Sequence, residues 1–89
     1  MPRLTARDMV GLRWSWVGPK LERDEHGNEW YELRIAELPE FFVAAPTAEV
    51  ARAEAAHALE AFLDSYVRAG EEPPLPAGER ASVRLREPA

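Results

Sequence analysis

Tyr31, Leu33 and Ile35 alternate with Trp30, Glu32, Arg34 and Ala36, the period-two pattern of a half-buried strand. Upstream, Leu12, Trp14 and Trp16 alternate with Arg13, Ser15 and Val17, so a first strand is expected from Leu12, interrupted or bulged at Gly18-Pro19. The polar stretch Arg23-Asp24-Glu25-His26-Gly27-Asn28 joins the two as a hairpin, Gly27 supplying the positive φ such loops often require. Pro39 is expected to end the second strand, since proline cannot donate to the ladder. Phe41-Phe42-Val43-Ala44-Ala45 reads as a third strand, apolar on both faces, so its second face calls for a cover.

The period changes after Pro46. Thr47 is a good N-cap, and Glu49 sits early in the helix, where a carboxylate complements the free N–H groups. From Ala48 to Ala69 strong helix formers follow one another, and Gly70 is placed for a left-handed C-cap. The stripe Ala51, Ala55, Ala58, Leu59, Phe62, Leu63 and Tyr66 keeps helical spacing, with small residues in its first half that let the helix lie close to a sheet. Glu71 to Gly78 is a proline-containing extended linker, after which Ala81, Val83 and Leu85 alternate with Ser82, Arg84 and Arg86 as a fourth strand. Met1 to Gly11 has less pattern and reads as a short helical turn or an arm. The expected order is β-β-β-α-β: an α+β domain with an antiparallel sheet of three to four strands and one long helix on one face. The single domain spans 1–89, with an N-terminal arm at 1–11 and a folded core at 12–86.

Composition narrows the function classes. A chain of 89 residues supports one modest core. Its 11 Lys and Arg against 16 Asp and Glu leave a net charge of −5, which disfavours a polyphosphate partner and suits a basic protein. Without cysteine there is no disulfide, thiolate metal site or cysteine nucleophile. No stretch has the length of a signal peptide core or a membrane span, so a cytoplasmic location is expected.

The segment Trp30-Tyr31-Glu32-Leu33-Arg34-Ile35-Ala36-Glu37-Leu38-Pro39, followed by Thr47-Ala48-Glu49-Val50-Ala51, resembles the HicB-like antitoxin family. Members read approximately acidic-Leu-Pro-Gly and then Gly-Asp-Thr-x-x-Glu-Ala. Here Ala36 stands where proline is common, Glu37 where Asp is common, Glu40 where glycine is usual, and Ala45-Pro46 where Gly-Asp precedes the threonine. The resemblance covers about Trp14 to Leu85 and implies a truncated RNase H-like fold with a proline-containing exit from the helix. It also implies a partner, a small basic mRNA-cleaving toxin of the HicA-like kind. Longer members continue into a DNA-binding domain; this chain stops at Ala89, so the expectation is the partner-binding half without direct nucleic-acid binding.

The RNase H likeness raises metal-dependent cleavage by converging carboxylates, with Glu29, Glu32, Glu37 and Glu54 as candidates. Glu29 and Glu32 have opposite strand parity and Glu54 lies off the apolar stripe, so no convergent set emerges. His26 and His57 lack a second histidine at ligand spacing, and Ser15, Ser65 and Ser82 lack a nucleophile-elbow context. No catalysis, cofactor or metal is therefore expected. Trp14 and Trp16 share a predicted face, as core under the helix or, with Phe42, as an interaction surface on the open sheet face. Glu22, Asp24, Glu25 and Glu29 form an acidic hairpin tip, solvated charge in the plain reading and a docking element opposite a basic toxin in the sharper one. The expected contact set is Glu22, Asp24, Glu25, Glu29, Trp30, Glu37 and Phe42, with Pro39, Thr47 and Gly70 structural. The alternative is an orphan homo-oligomeric scaffold, dimer or tetramer, or a small-ligand module without a toxin.

Overall fold

The computed structural model describes residues 4–76, in which the elements run α1 (Ala6–Val10), β1 (Trp16–Arg23), β2 (Glu29–Ile35), β3 (Leu38–Ala45) and α2 (Ala48–Ala69). The strands form an antiparallel sheet in the order β1-β2-β3, and α2 packs across one face, an α+β fold. The strand expected at Ala81 to Leu85 lies outside the described residues.

Alternation along β2 and β3 sets the layers. Leu33 and Ile35 of β2 and Phe41, Val43 and Ala45 of β3 are buried under α2, which answers with Ala51, Ala55, Leu59 and Leu63, four residues apart. Each fully buried leucine contributes roughly 1.5–3 kcal/mol of transfer free energy. Thr47 caps the helix as expected, its hydroxyl accepting from the Val50 N–H at 3.1 Å. Gly70 closes it in the left-handed region at φ 71°. Past this cap the chain returns Leu75 to the core.

The N-terminal segment is part of that core. Thr5 and Asp8 cap α1 reciprocally, each side chain accepting from the other's backbone N–H at 3.1 Å, and Ala6 and Met9 are buried where α1 meets α2.

The first strand begins at Trp16 rather than Leu12. Leu12 to Ser15 follow a local path: the Leu12 N–H donates to the Met9 carbonyl at 3.2 Å and the Trp14 N–H to the Leu12 carbonyl at 3.0 Å. The Trp14 indole N–H donates to the Met9 carbonyl at 2.8 Å in the interior, so Trp14 anchors the end of α1. Trp16, 39% exposed, pairs with Ile35 across the sheet and meets Phe41 in a T-shaped contact, 6.3 Å between ring centroids. The two tryptophans therefore do not act as one strand face.

Two irregularities break the ladders. Between Val17 and Lys20 the register of β1 against β2 shifts at Gly18-Pro19, as anticipated. Gly18 has φ 101°, and a Cβ there would stand 2.6 Å from the Glu32 carbonyl oxygen, so only glycine fits. The second corrects the reading of Pro39. The turn between β2 and β3 is Ala36-Glu37, and Pro39 lies inside β3. Ile35 pairs with Leu38 and Arg34 with Phe42, so Pro39, Glu40 and Phe41 loop out of the ladder, where a missing N–H costs little. Glu40, standing at the family's usual glycine position, has no positive φ.

Candidate protein-binding face

The face of the sheet away from α2 is assembled by strand register. Val17, Arg34 and Phe42 form one row across β1, β2 and β3; Lys20, Glu32 and Ala44 form the next; Glu22 pairs with Trp30 at the end. Phe42 and Val17 are each 53% exposed. Phe42 thus stands on the open face, where the interaction-surface reading sets it.

Arg34 organises the centre. Its Nε lies 2.7 Å from Glu32 Oε2, and its guanidinium carbon sits 5.3 Å from the centroid of the Phe42 ring, within cation–π range. The guanidinium is thus held by the Glu32 carboxylate and the Phe42 ring. Lys20 and Glu22 approach within 4.0 Å. The face therefore carries two cations, two carboxylates, an aromatic at each end and small apolar residues between.

The acidic hairpin tip divides by role. Asp24 is used inside the loop: Oδ1 accepts from the His26 and Asn28 backbone N–H groups and Oδ2 from the Asn28 side-chain amide, all at 2.9 Å. The Asn28 amide, then the backbone N–H groups, hold the Asp24 carboxyl below its ordinary range. Glu29 is bound by the Arg23 guanidinium directly across the hairpin. Glu25 points outward with its oxygen 3.5 Å from His26 Nε2. Of the tip, Glu22 and Glu25 are the carboxylates least committed to the loop's own structure.

Glu37 also turns inward. Its two oxygens accept the Ser15 N–H at 2.9 Å and the Ser15 hydroxyl at 2.7 Å, and the Ala36 N–H donates to the Ser15 carbonyl at 2.9 Å. These bonds tie the β2–β3 turn to the segment entering β1 and pull the Glu37 carboxyl below its usual value, the hydroxyl bond first and the backbone bond second. Both Glu37 oxygens are thus engaged within the protein rather than left for a partner. Val17, Glu32 and Arg34, absent from the expected contact set, complete the open face; for Glu32 and Arg34 the parity with Trp30 along β2 was the available signal, whereas Val17 is placed there only by the register of β1 against β2.

Among the described residues no three His, Asp or Glu side chains gather as a metal-binding group, and no helix is long and apolar enough to cross a membrane. Comparison of the chain with protein-family models, curated proteins and solved structures returns no match.

Proposed function

We propose that this chain is a HicB-like, antitoxin-type domain without catalysis of its own, acting in the cytoplasm, which binds and neutralises a HicA-like mRNA-cleaving toxin through its open sheet face. One observation carries the choice of surface: Phe42 and Val17, each 53% exposed, flank Arg34, which contacts the Phe42 ring and the Glu32 carboxylate. Aromatic and arginine side chains grouped on an exposed face are the residue types that dominate protein interfaces. The choice of partner rests on the resemblance carried by Trp30 to Pro39 and Thr47 to Ala51. A net charge of −5 suits a basic, RNA-binding partner.

Co-expression with a HicA-like protein from an adjacent reading frame, followed by pull-down and a growth-rescue assay, tests this. Capture and rescue are expected, with both lost in Phe42→Glu and Arg34→Glu variants that keep the wild-type circular dichroism. A neighbour neither captured nor neutralised would sink the antitoxin reading.

A second reading is favoured by one feature of the same face. Lys20 and Arg34 balance Glu22 and Glu32 across the rows, so a two-fold axis can set opposite charges of two copies against each other. The domain then serves as a homo-oligomeric scaffold. Sedimentation velocity over a hundredfold concentration range separates the two: self-association abolished by Phe42→Glu supports it, and a monomer throughout excludes it.

A further inference from the structure

A shallow cleft opens where the first residues of β3 meet the last turns of α2, lined by Glu40, Phe62, Ser65, Tyr66 and Glu71. Its walls follow from helix spacing. Phe62 and Tyr66 are four residues apart and so share one flank of α2. The cap at Gly70 turns the chain back, and the Glu71 N–H donates to the Tyr66 carbonyl at 2.9 Å, which brings the Glu71 side chain beside the ring.

The two rings meet at 61° with centroids 5.8 Å apart, forming two walls of a corner. Phe41, buried, braces Phe62 from behind at 5.3 Å. The Ser65 hydroxyl donates to the Phe62 carbonyl at 2.6 Å, so its oxygen is left as an acceptor. Glu40 and Glu71 are exposed, and neither has an ion-pair partner among the described residues. The basic residue of the last helical turn, Arg68, is held by Asp64 at 2.7 Å.

An aromatic corner flanked by carboxylates that lack a counter-charge among the described residues suits an organic cation. Ring faces attract a cation through their quadrupoles, and carboxylates accept charge-assisted bonds from ammonium or guanidinium N–H groups. At about 260 Å³ the cleft falls below the range, about 300–1,000 Å³, of pockets that enclose drug-sized ligands. It therefore suits one side chain. Glu40 also precedes Phe42 by two positions, in the stretch where β3 leaves register with β2, so a partner seated on the open face can reach around this end of β3.

We propose that this cleft receives a lysine or arginine side chain of the partner protein. The proposal rests on the reading of the chain as a protein-binding domain, and its test needs no toxin. The full chain, isotopically labelled, is titrated by NMR with the peptide acetyl-Gly-Arg-Gly-amide, its lysine counterpart, and free spermidine. The expected result is saturable shifts confined to Glu40, Phe62, Ser65, Tyr66 and Glu71 with either peptide, weakened about tenfold or more in the Glu40→Gln/Glu71→Gln double variant. Tyr66→Leu should weaken binding as well, while Glu49→Gln/Glu54→Gln should leave it unchanged.

Shifts spread over the acidic surface and reduced equally by both glutamine pairs would overturn the proposal, as would spermidine occupying the cleft when neither peptide does. A toxin captured by a protein whose cleft ignores both peptides removes the cleft alone. Peptide binding without toxin capture removes only the toxin.

Discussion

Replacing Glu37 with alanine separates an internal clamp from a surface contact. The carboxylate reaches Ser15, 22 positions earlier in the chain, through bonds of 2.9 and 2.7 Å. A hydrogen bond to a charged acceptor contributes about 1.5–3 kcal/mol when well shielded and a neutral one about 1 kcal/mol. This turn is partly exposed, so solvent screening brings the pair together to about 1–2 kcal/mol. Urea unfolding followed by circular dichroism at pH 7 should show a lower midpoint at unchanged slope. Ser15→Ala removes only the hydroxyl bond and keeps the backbone one, so it should cost about half as much, and the double variant little more than Glu37→Ala alone, a coupling of about 1 kcal/mol.

The pH dependence has a definite sign. The Glu37 carboxyl is held below its ordinary value of 4.5 in the folded protein, so its contribution is complete above that value and disappears as pH falls through the lower, folded one. The stability gap between wild type and Glu37→Ala should stay constant from pH 7 down to about 5 and narrow in more acidic solution. An unchanged midpoint in Glu37→Ala, or singles that simply add, would refute the clamp and return Glu37 to the set of partner contacts.

Gly18→Ala should destabilise by about 3 kcal/mol, since the new Cβ meets the Glu32 carbonyl oxygen at 2.6 Å with φ at 101°; wild-type thermal stability would refute the bulge geometry. Trp14→Phe keeps a ring but removes the indole N–H bond of 2.8 Å to the Met9 carbonyl, which still accepts the Leu12 N–H, a loss of about 1 kcal/mol in the same urea assay. Leu63→Ala, at a fully buried position under the sheet, should cost roughly 2–5 kcal/mol. Phe42→Ala, on the open face, should shift stability by no more than about 1 kcal/mol through lost contact with Arg34. A larger loss would mean that Phe42 is part of the core.

Much of the fold is legible because it depends on near neighbours. The alternation of β2 identifies its buried side, Thr47 and Gly70 mark the helix ends by local geometry, and the stripe from Ala51 to Leu63 identifies the helix face that packs. Trp14 misleads because strand and non-strand segments can share a short alternation; its indole is placed by the Met9 carbonyl, a contact that depends on α1 being docked. Pro39 misleads for a different reason. A proline forbids a ladder bond only where one is required, and β3 loops out of register at that point.

The candidate site divides along the same line. The side taken by Trp30 follows from the parity of β2 and that of Phe42 from its register with Arg34, whereas Asp24, Glu29 and Glu37 are consumed by partners across a loop, a hairpin and a 22-residue separation. The amino-acid sequence by itself determined the elements that rest on periodicity and capping, since those interactions span at most a few residues. Tertiary structure alone decided which carboxylates are free, which tryptophan is buried, and which rings meet Glu40 and Glu71, because pairing register and chain return bring together groups that no local pattern relates.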